Sequence, residues 1–408
     1  MHPLPSTLLL SAALALVPAS EGAGEARDLD AAIAHSLATA RTQSLGMAKA
    51  LASQPGRLSK TIGSDGTLET CDSSWWVSGF FPGVLWYLYE NFGEEQLKQQ
   101  AIVYTLSVED QKYTTDNHDV GFMIFCSFGN AYRLTQNSEF KEVIRIASES
   151  LSTRFSAVTG TIRSWDLTSW SEQWKYPVII DNMMNLEMLM WAGREFGNDA
   201  FKNIAIRHAD TTMRNHFRED FSSFHVVSYD LETGEVEKKT TAQGYSDDSA
   251  WTRGQGWGLY GYTMMYRLVR EPKYLDQAIG IAEFITNHPR LPEDKIPYWD
   301  FDAPDIPDAP RDASAGALIC SALFELSQYV DAARSEKYKR VAEKQIRTLS
   351  TPEYLAEPGE NQHFILKHSV GHMPNGTEID VPLTYADYYF VEAMLRWKAL
   401  KRDGKLSL

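Results

Sequence analysis

Two aspartates in this sequence stand where a carboxylic acid would be more useful than a surface carboxylate. Asp181 follows the apolar run Pro177-Val178-Ile179-Ile180 and precedes Asn182-Met183-Met184-Asn185-Leu186. Asp119 lies in Asn117-His118-Asp119-Val120-Gly121-Phe122, at the mouth of a second apolar stretch. An Asp at a helix start can simply cap it, a role that contributes about 1 kcal/mol. The apolar run ahead of Asp181 argues instead for burial, which raises a carboxyl pKa by desolvation and suits a general acid near neutral pH. His118 and His225 are the histidines best placed to donate to such carboxyls. Residues 242–267, AQGYSDDSAWTRGQGWGLYGYTMMYR, add Gln243, Trp251, Arg253, Gln255 and Trp257 within a glycine-rich stretch of helical length. Gly254, Gly256, Gly258 and Gly261 each cost a helix roughly 1 kcal/mol against Ala, so they predict close approach by a neighbouring helix or a ligand. Indoles beside a guanidinium and amides suit a flat, hydroxylated, anionic ring. Trp75, Trp76, Trp165, Trp251, Trp257 and Trp299 include several that lie in polar loops, as carbohydrate-stacking tryptophans do; a buried aromatic core is the competing reading. There is no zinc spacing, phosphate loop or dinucleotide fingerprint, so no metal and no cofactor is expected.

These groups are far apart in sequence and need a scaffold that gathers them. The chain alternates amphipathic stretches with apolar ones that open on small residues, near Gly79, Gly121, Met183, Trp257, Ala317 and Tyr388. A helix apolar on nearly all sides belongs inside, and an amphipathic one outside. Six inner and six outer helices predict an all-α fold, an (α/α)6 barrel or six-hairpin toroid, without a short fixed repeat. The inner helices would begin at one rim, so Trp75, Trp76, His118, Asp119, Asp181, Asn182, Arg253, Gln255 and Asp387 should converge there. Residues 224–230 alternate and lead into the turn Glu232-Thr233-Gly234-Glu235, which predicts a small β-hairpin in the loops. The Pro- and Asp-rich residues 289–310 carry Trp299 and Phe301 and read as an ordered loop over the rim.

Length and composition agree with one large barrel: 408 residues, 43% hydrophobic and 23% charged. A net charge of −15 argues against nucleic acid as a partner. Residues 8–17 form an apolar segment too short to span a bilayer, followed by Val17-Pro18-Ala19. We read residues 1–19 as a signal peptide cleaved about 19–24, residues 25–408 as a single catalytic domain, and the location as periplasmic or secreted, with no membrane partner. Cys71, Cys126 and Cys320 lack metal-ligand spacing, and Cys126 and Cys320 fall in apolar helical patterns.

The stretches DNHDVGF, IIDNMMNLEML, SFHVVSYD, QGYSDDSAWTRGQGWGLYGY, PYWDFDAPDIPDAPRDASA and LKHSVGHMPNGTEIDVPLTYADYYF, in this order, resemble the unsaturated glucuronyl hydrolases of glycoside hydrolase family 88. The resemblance spans roughly residues 75–396. It implies an (α/α)6 barrel that removes the 4,5-unsaturated uronic acid left at the non-reducing end by polysaccharide lyases. The implied chemistry is hydration of the C4=C5 vinyl ether, unlike two-carboxylate displacement. By motif position Asp181 takes the acid/base role and Asp119 is the second essential carboxyl. Trp76, His118, His225, Gln243, Trp251, Arg253 and Trp257 match substrate-binding positions. Neither metal nor cofactor is implied, and a monomer or weak homodimer is expected. Two departures stand out. Ala242 replaces a His often found before the Gln, and His372 and Pro374 stand where members favouring sulfated substrates carry Ser and Lys. The competing readings are an unsaturated rhamnogalacturonyl hydrolase on pectin fragments, an inverting glucanase on the same barrel, and a non-catalytic periplasmic glycan-binding protein. The QGYSDDSAW and TEIDVPLTYADYYF stretches disfavour the first.

Overall fold

The computed structural model describes residues 21–406, with side chains from Asp28 onward; the expected signal peptide at residues 1–19 lies outside them. In chain order the helices are α1 (Glu21–Leu51), α2 (Phe80–Phe92), α3 (Glu95–Leu106), α4 (Asn130–Thr135), α5 (Ser138–Ser152) and α6 (Leu186–Glu195). They continue with α7 (Asp199–Asn215), α8 (Thr252–Val269), α9 (Pro272–Asn287), α10 (Ala313–Leu326), α11 (Ala332–Leu349) and α12 (Thr384–Asp403). A π-helix, Gly121–Gly129, runs straight into α4, and a 3-10 turn, Ile180–Asn185, runs into α6. Each pair forms one inner helix.

The burial pattern sorts the layers as expected. Every residue of α10 is buried, and α8 is buried from Thr252 through Met265. In α5, α7 and α11 a buried face alternates with a solvated one. The outer helices start cleanly: Asn137, Asn198 and Asp331 accept backbone N–H groups of the first turns of α5, α7 and α11. Side-by-side packing runs from α2 to the π-helix, to the 3-10 turn, to α8, α10, α12 and back to α2, which closes an inner ring. The partners α3, α5, α7, α9 and α11 pack outside it, with α1 against α2, α11 and α12. This is the (α/α)6 toroid that the alternation predicted.

Strands decorate the rim. β1 (Leu58–Ile62) pairs with β2 (Leu68–Cys71), and β3 (Phe155–Ser156) with β4 (Thr161–Ile162). β5 (Pro177–Ile179), β6 (Val226–Tyr229) and β7 (Val236–Thr240) form a three-stranded antiparallel sheet, and β8 (Ser369–His372) pairs with β9 (Thr377–Val381). The predicted hairpin is β6–β7, with Gly234 at φ +76° in its turn. The apolar run before Asp181 is its third strand: Val178 pairs with Val227 and Ile179 with Val226. Residues 289–310 lie ordered over the rim, tied down by bridges between Trp251 and Asp300 and between Tyr298 and Arg311.

One close approach sets the distance between the two aspartate-bearing segments. A Cβ on Gly121 would meet the Cα of Asn185 at 2.7 Å and its Oδ1 at 2.5 Å. That same Oδ1 accepts the Phe122 N–H at 3.0 Å. Glycine therefore allows the π-helix after Asp119 to lie against the 3-10 turn that carries Asp181. Gly121→Ala should force the two segments apart and lower the unfolding free energy by about 1–3 kcal/mol, the usual cost of overpacking. Urea denaturation of the variant beside wild type checks this; an unchanged midpoint would show that the contact is slack.

Candidate active site

A pocket of about 310 Å³ opens at the rim where the inner helices begin. Its walls include Trp75, Trp76, Trp165 and Trp170, and its floor His118, Asp119, Asp181, Gln243 and Arg253. Asp119 ends the loop before the π-helix, and Asp181 sits in the 3-10 turn immediately after β5. Neither carboxyl acts as a helix cap. The side chains are 15% and 11% exposed, respectively. Burial pushes the Asp119 carboxyl up to about 8, with repulsion from Asp181 adding to the rise. Burial likewise pushes Asp181 up to about 7, against the lowering influence of Arg253 and Trp257. Two carboxyls so placed titrate as a pair that retains a proton near neutral pH.

Each carboxyl has a histidine at its side. His225 Nε2 lies 3.7 Å from Asp181 Oδ2, and His118 Nε2 lies 3.4 Å from Asp119 Oδ1. Burial drives His225 well below the usual imidazole range and His118 down to about 3, so both are neutral. The backbone N–H groups of Ala242 and Gln243 both donate to His225 Nδ1, each at 3.1 Å. An Nδ1 that accepts carries no proton, so the ring hydrogen sits on Nε2, facing Asp181. The Ala242 departure thus leaves intact what its backbone does: it fixes this tautomer.

On and behind the floor several buried polar atoms have no hydrogen-bond partner among the described residues: His118 Nε2, Asp181 Oδ2, Asn182 Oδ1, His225 Nε2, Arg253 Nε, Trp257 Nε1 and Tyr385 Oη. Buried polar atoms are rarely left unpaired. Of these, His118 Nε2 and Asp181 Oδ2 belong to residues that line the pocket, where a polar guest could pair with them.

The structure refines several expected site residues. Trp76, His118 and Gln243 line the pocket, and Gln243 spends one amide hydrogen on Gly371 O at 3.2 Å. His225, Trp251 and Trp257 stand behind the wall. Trp251 packs its ring 4.4 Å from His225 and 4.6 Å from the Arg253 guanidinium. Trp257 is fully buried with its indole toward Asp181. Arg253 is also committed: its terminal nitrogens donate to Val370 O, to Gly371 O at 2.7 Å and to Asp312 Oδ2 at 3.2 Å. It anchors β8 to α8, and only its edge faces the pocket. Asp387 does not join the site. Its carboxylate accepts the Ile365 and Leu366 N–H groups and holds that loop in place. Trp299 packs in the rim loop. Trp170 and Asn375, on loops, line the pocket without any sequence signal beyond residue type. Gln255 turns away and binds the Ser223 N–H.

Comparison with known proteins finds related sequences and the same fold. The family described as Glycosyl Hydrolase Family 88 matches residues 56–400. An unsaturated glucuronyl hydrolase from Formosa agariphila is 46% identical over 79% of this chain and 79% of its own length. An unsaturated chondroitin disaccharide hydrolase from Streptococcus agalactiae is 32% identical over 81% of this chain and 83% of its own. A crystal structure of an unsaturated glucuronyl hydrolase specific for heparin superposes with a TM-score of 0.88 at 47% identity, covering 92% of this chain and 100% of that one.

Two measurements test the site's electrostatics. Carboxyl carbon NMR should find the Asp119–Asp181 pair losing a proton around neutral pH. With Asp181→Asn the repulsion disappears, so the remaining titration of Asp119 should move to lower pH; an unmoved titration would mean the two do not interact. Arg253→Ala leaves Asp312 buried without its cation and should destabilise the fold by about 3–5 kcal/mol, read by chemical denaturation. Wild-type stability in that variant would return Arg253 to a purely ligand-facing role.

Proposed function

The chain belongs to glycosyl hydrolase family 88, and we propose that this pocket removes the 4,5-unsaturated uronic acid from the non-reducing end of lyase-generated glycosaminoglycan oligosaccharides. The observation that carries the reading is the buried carboxyl pair holding a proton near neutral pH at the floor of a tryptophan-walled pocket. Tryptophan faces stack on the flat, half-chair ring of the unsaturated sugar. Asp181, in its protonated form, delivers a proton to C4 of the vinyl ether, and positive charge develops across C5 and the ring oxygen. A water adds at C5 and returns a proton to the Asp181 carboxylate. The C5 hemiketal opens to a ketone, leaving a hemiacetal at C1, which collapses to an aldehyde and releases the remaining saccharide. One water is consumed and the acid is regenerated. Asp119 holds the sugar and, by repulsion, helps keep the pair protonated. His225, with its hydrogen on Nε2, donates toward Asp181 or the sugar, and neutral His118 stands beside Asp119; neither acts as a base.

The leaving saccharide extends into an adjoining cavity of about 590 Å³ that shares Trp75, Trp76, Gln243, His372 and Asn375 with the pocket. Lys60 is the cation among its lining residues, and it is held by Glu69 at 2.5 Å and Glu378 at 3.3 Å. Two carboxylates against one ammonium disfavour a sulfate there. Unsulfated disaccharides are therefore the preferred substrates, in line with His372 and Pro374 in the β8–β9 hairpin. The proposed oligomeric state is a monomer or weak homodimer. The apolar residues 8–17 support export to the periplasm or medium. Among the described residues no helix is long and apolar enough to cross a membrane.

The test is turnover of lyase products from heparin, chondroitin, hyaluronan and pectin, followed by loss of the ultraviolet absorbance of the conjugated double bond. Unsulfated glycosaminoglycan disaccharides should be consumed, with several-fold higher KM for forms sulfated on the leaving sugar. Asp181→Asn should fold and be inactive. Turnover confined to the pectin product, or undiminished in Asp181→Asn, would overturn the reading.

A further inference from the structure

Ser164 lies on the loop after β4 and is fully buried. All of its polar groups are engaged with the two carboxyl-bearing segments. Its carbonyl accepts the His118 N–H at 3.1 Å, and its N–H donates to Pro177 O at 2.8 Å. Its hydroxyl oxygen accepts the Ile179 N–H at 3.0 Å and lies 3.4 Å from His118 Nδ1. The Ile179 N–H takes one lone pair of the hydroxyl; among the described residues His118 Nδ1 is the one acceptor within reach of the buried hydroxyl hydrogen, so the serine donates to it. An Nδ1 that accepts has no proton of its own. The hydrogen of this neutral ring is then on Nε2, which points at Asp119 Oδ1 with Asn182 beside it.

We propose that Ser164 is a positioning residue: its hydroxyl fixes His118 in the Nε2–H tautomer, with that N–H turned toward Asp119 and Asn182, while tying β5, two residues ahead of Asp181, to the same point. The backbone at residues 242–243 performs the equivalent task for His225. The two carboxyls thus receive the same treatment from different sources, one from main-chain amides and one from a single side chain. A purely structural serine would contribute the Ile179 contact and leave the tautomer of His118 to chance. With the Ser164 hydroxyl removed, the His118 hydrogen is free to move to Nδ1, and Nε2 then presents a lone pair instead of a donor to the groups around Asp119.

The inference rests on the proposed role of the two carboxyls, but its first test needs no turnover. In full-length protein labelled with nitrogen-15 histidine, the His118 signals are assigned by their loss in His118→Gln. Wild type should show Nδ1 unprotonated and Nε2 protonated across the mildly acidic and neutral range; a protonated Nδ1 overturns the proposal. Ser164→Ala should populate the Nδ1–H form and lower kcat on the order of 10- to 100-fold through misplacement of the reacting groups. KM should change little, and Ser164→Thr, which keeps the hydroxyl, should restore the Nε2–H form. A folded Ser164→Ala with wild-type tautomer and kcat would also overturn it. An inactive wild type with the expected tautomer would count against the proposed function and leave the assignment of Ser164 standing.

Discussion

Two carboxyl groups withdrawn from water side by side are the constraint around which the rest of this barrel is arranged. A lone buried carboxylate is costly, and its neutral form is correspondingly favoured. Placing two together adds repulsion, so the pair keeps a proton where exposed aspartates would have lost theirs. The arrangement needs the π-helix and the 3-10 turn to touch through their backbones, and Gly121 against Asn185 makes that contact. The irregularity of both inner helices at these points is in keeping with it. A π-helix widens the turn after Asp119, and a 3-10 turn tightens the one that carries Asp181. Regular α-helix at either place would rotate the following side chains away from the shared floor.

Around the pair, hydrogen-bond direction is settled by groups that have no choice. Backbone amides fix His225, and the anchor of β8 is a guanidinium that can only donate. Arg253 therefore acts twice. It positions the hairpin that carries His372, and from behind the floor its charge restrains how far the Asp181 pKa can rise. Were it a free ligand-binding cation, loosely held beside Asp181, it would draw the carboxyl toward its ionised form and remove the acid. Locking it against two carbonyls and Asp312 keeps its charge partly neutralised.

Much of this was legible in the sequence because burial leaves a periodic trace. The alternation of apolar and amphipathic helices gave twelve helices in two layers. The small-residue entrances located the rim, and the apolar run before Asp181 signalled its desolvation. What sequence could not distinguish is the direction in which an entrance residue points. Asp387 and Asp181 look alike as aspartates opening apolar helices, yet one clamps the Ile365 and Leu366 amides and the other faces the pocket. Trp251 and Trp257 share the glycine-rich entrance with Arg253, but one helical turn separates pocket wall from core. Trp170, Asn375 and Ser164 stand on loops, where no period announces a facing side. Recognising β5 as the third strand of the rim sheet requires its pairing with Val226 and Val227, a long-range fact with no local signal.

The inner helices also share a polarity that bears on the acid. Their starts meet around the pocket, where Trp76 packs on Phe122 and Tyr385 and Phe122 packs on Trp257. Their far ends meet at the opposite mouth. There Arg267 pairs with Glu187 and Glu325, and Arg396 with Glu325 and Glu392. Helix starts carry partial positive charge, which by itself would lower a nearby carboxyl pKa by stabilising the anion. Both aspartates are nevertheless raised, with burial the largest cause at each. The tryptophans and Ile179 of the wall contribute to that burial, which at Asp181 outweighs the opposing charge of Arg253. The apolar lining therefore has two effects, stacking the sugar and keeping the proton that the sugar's double bond must receive.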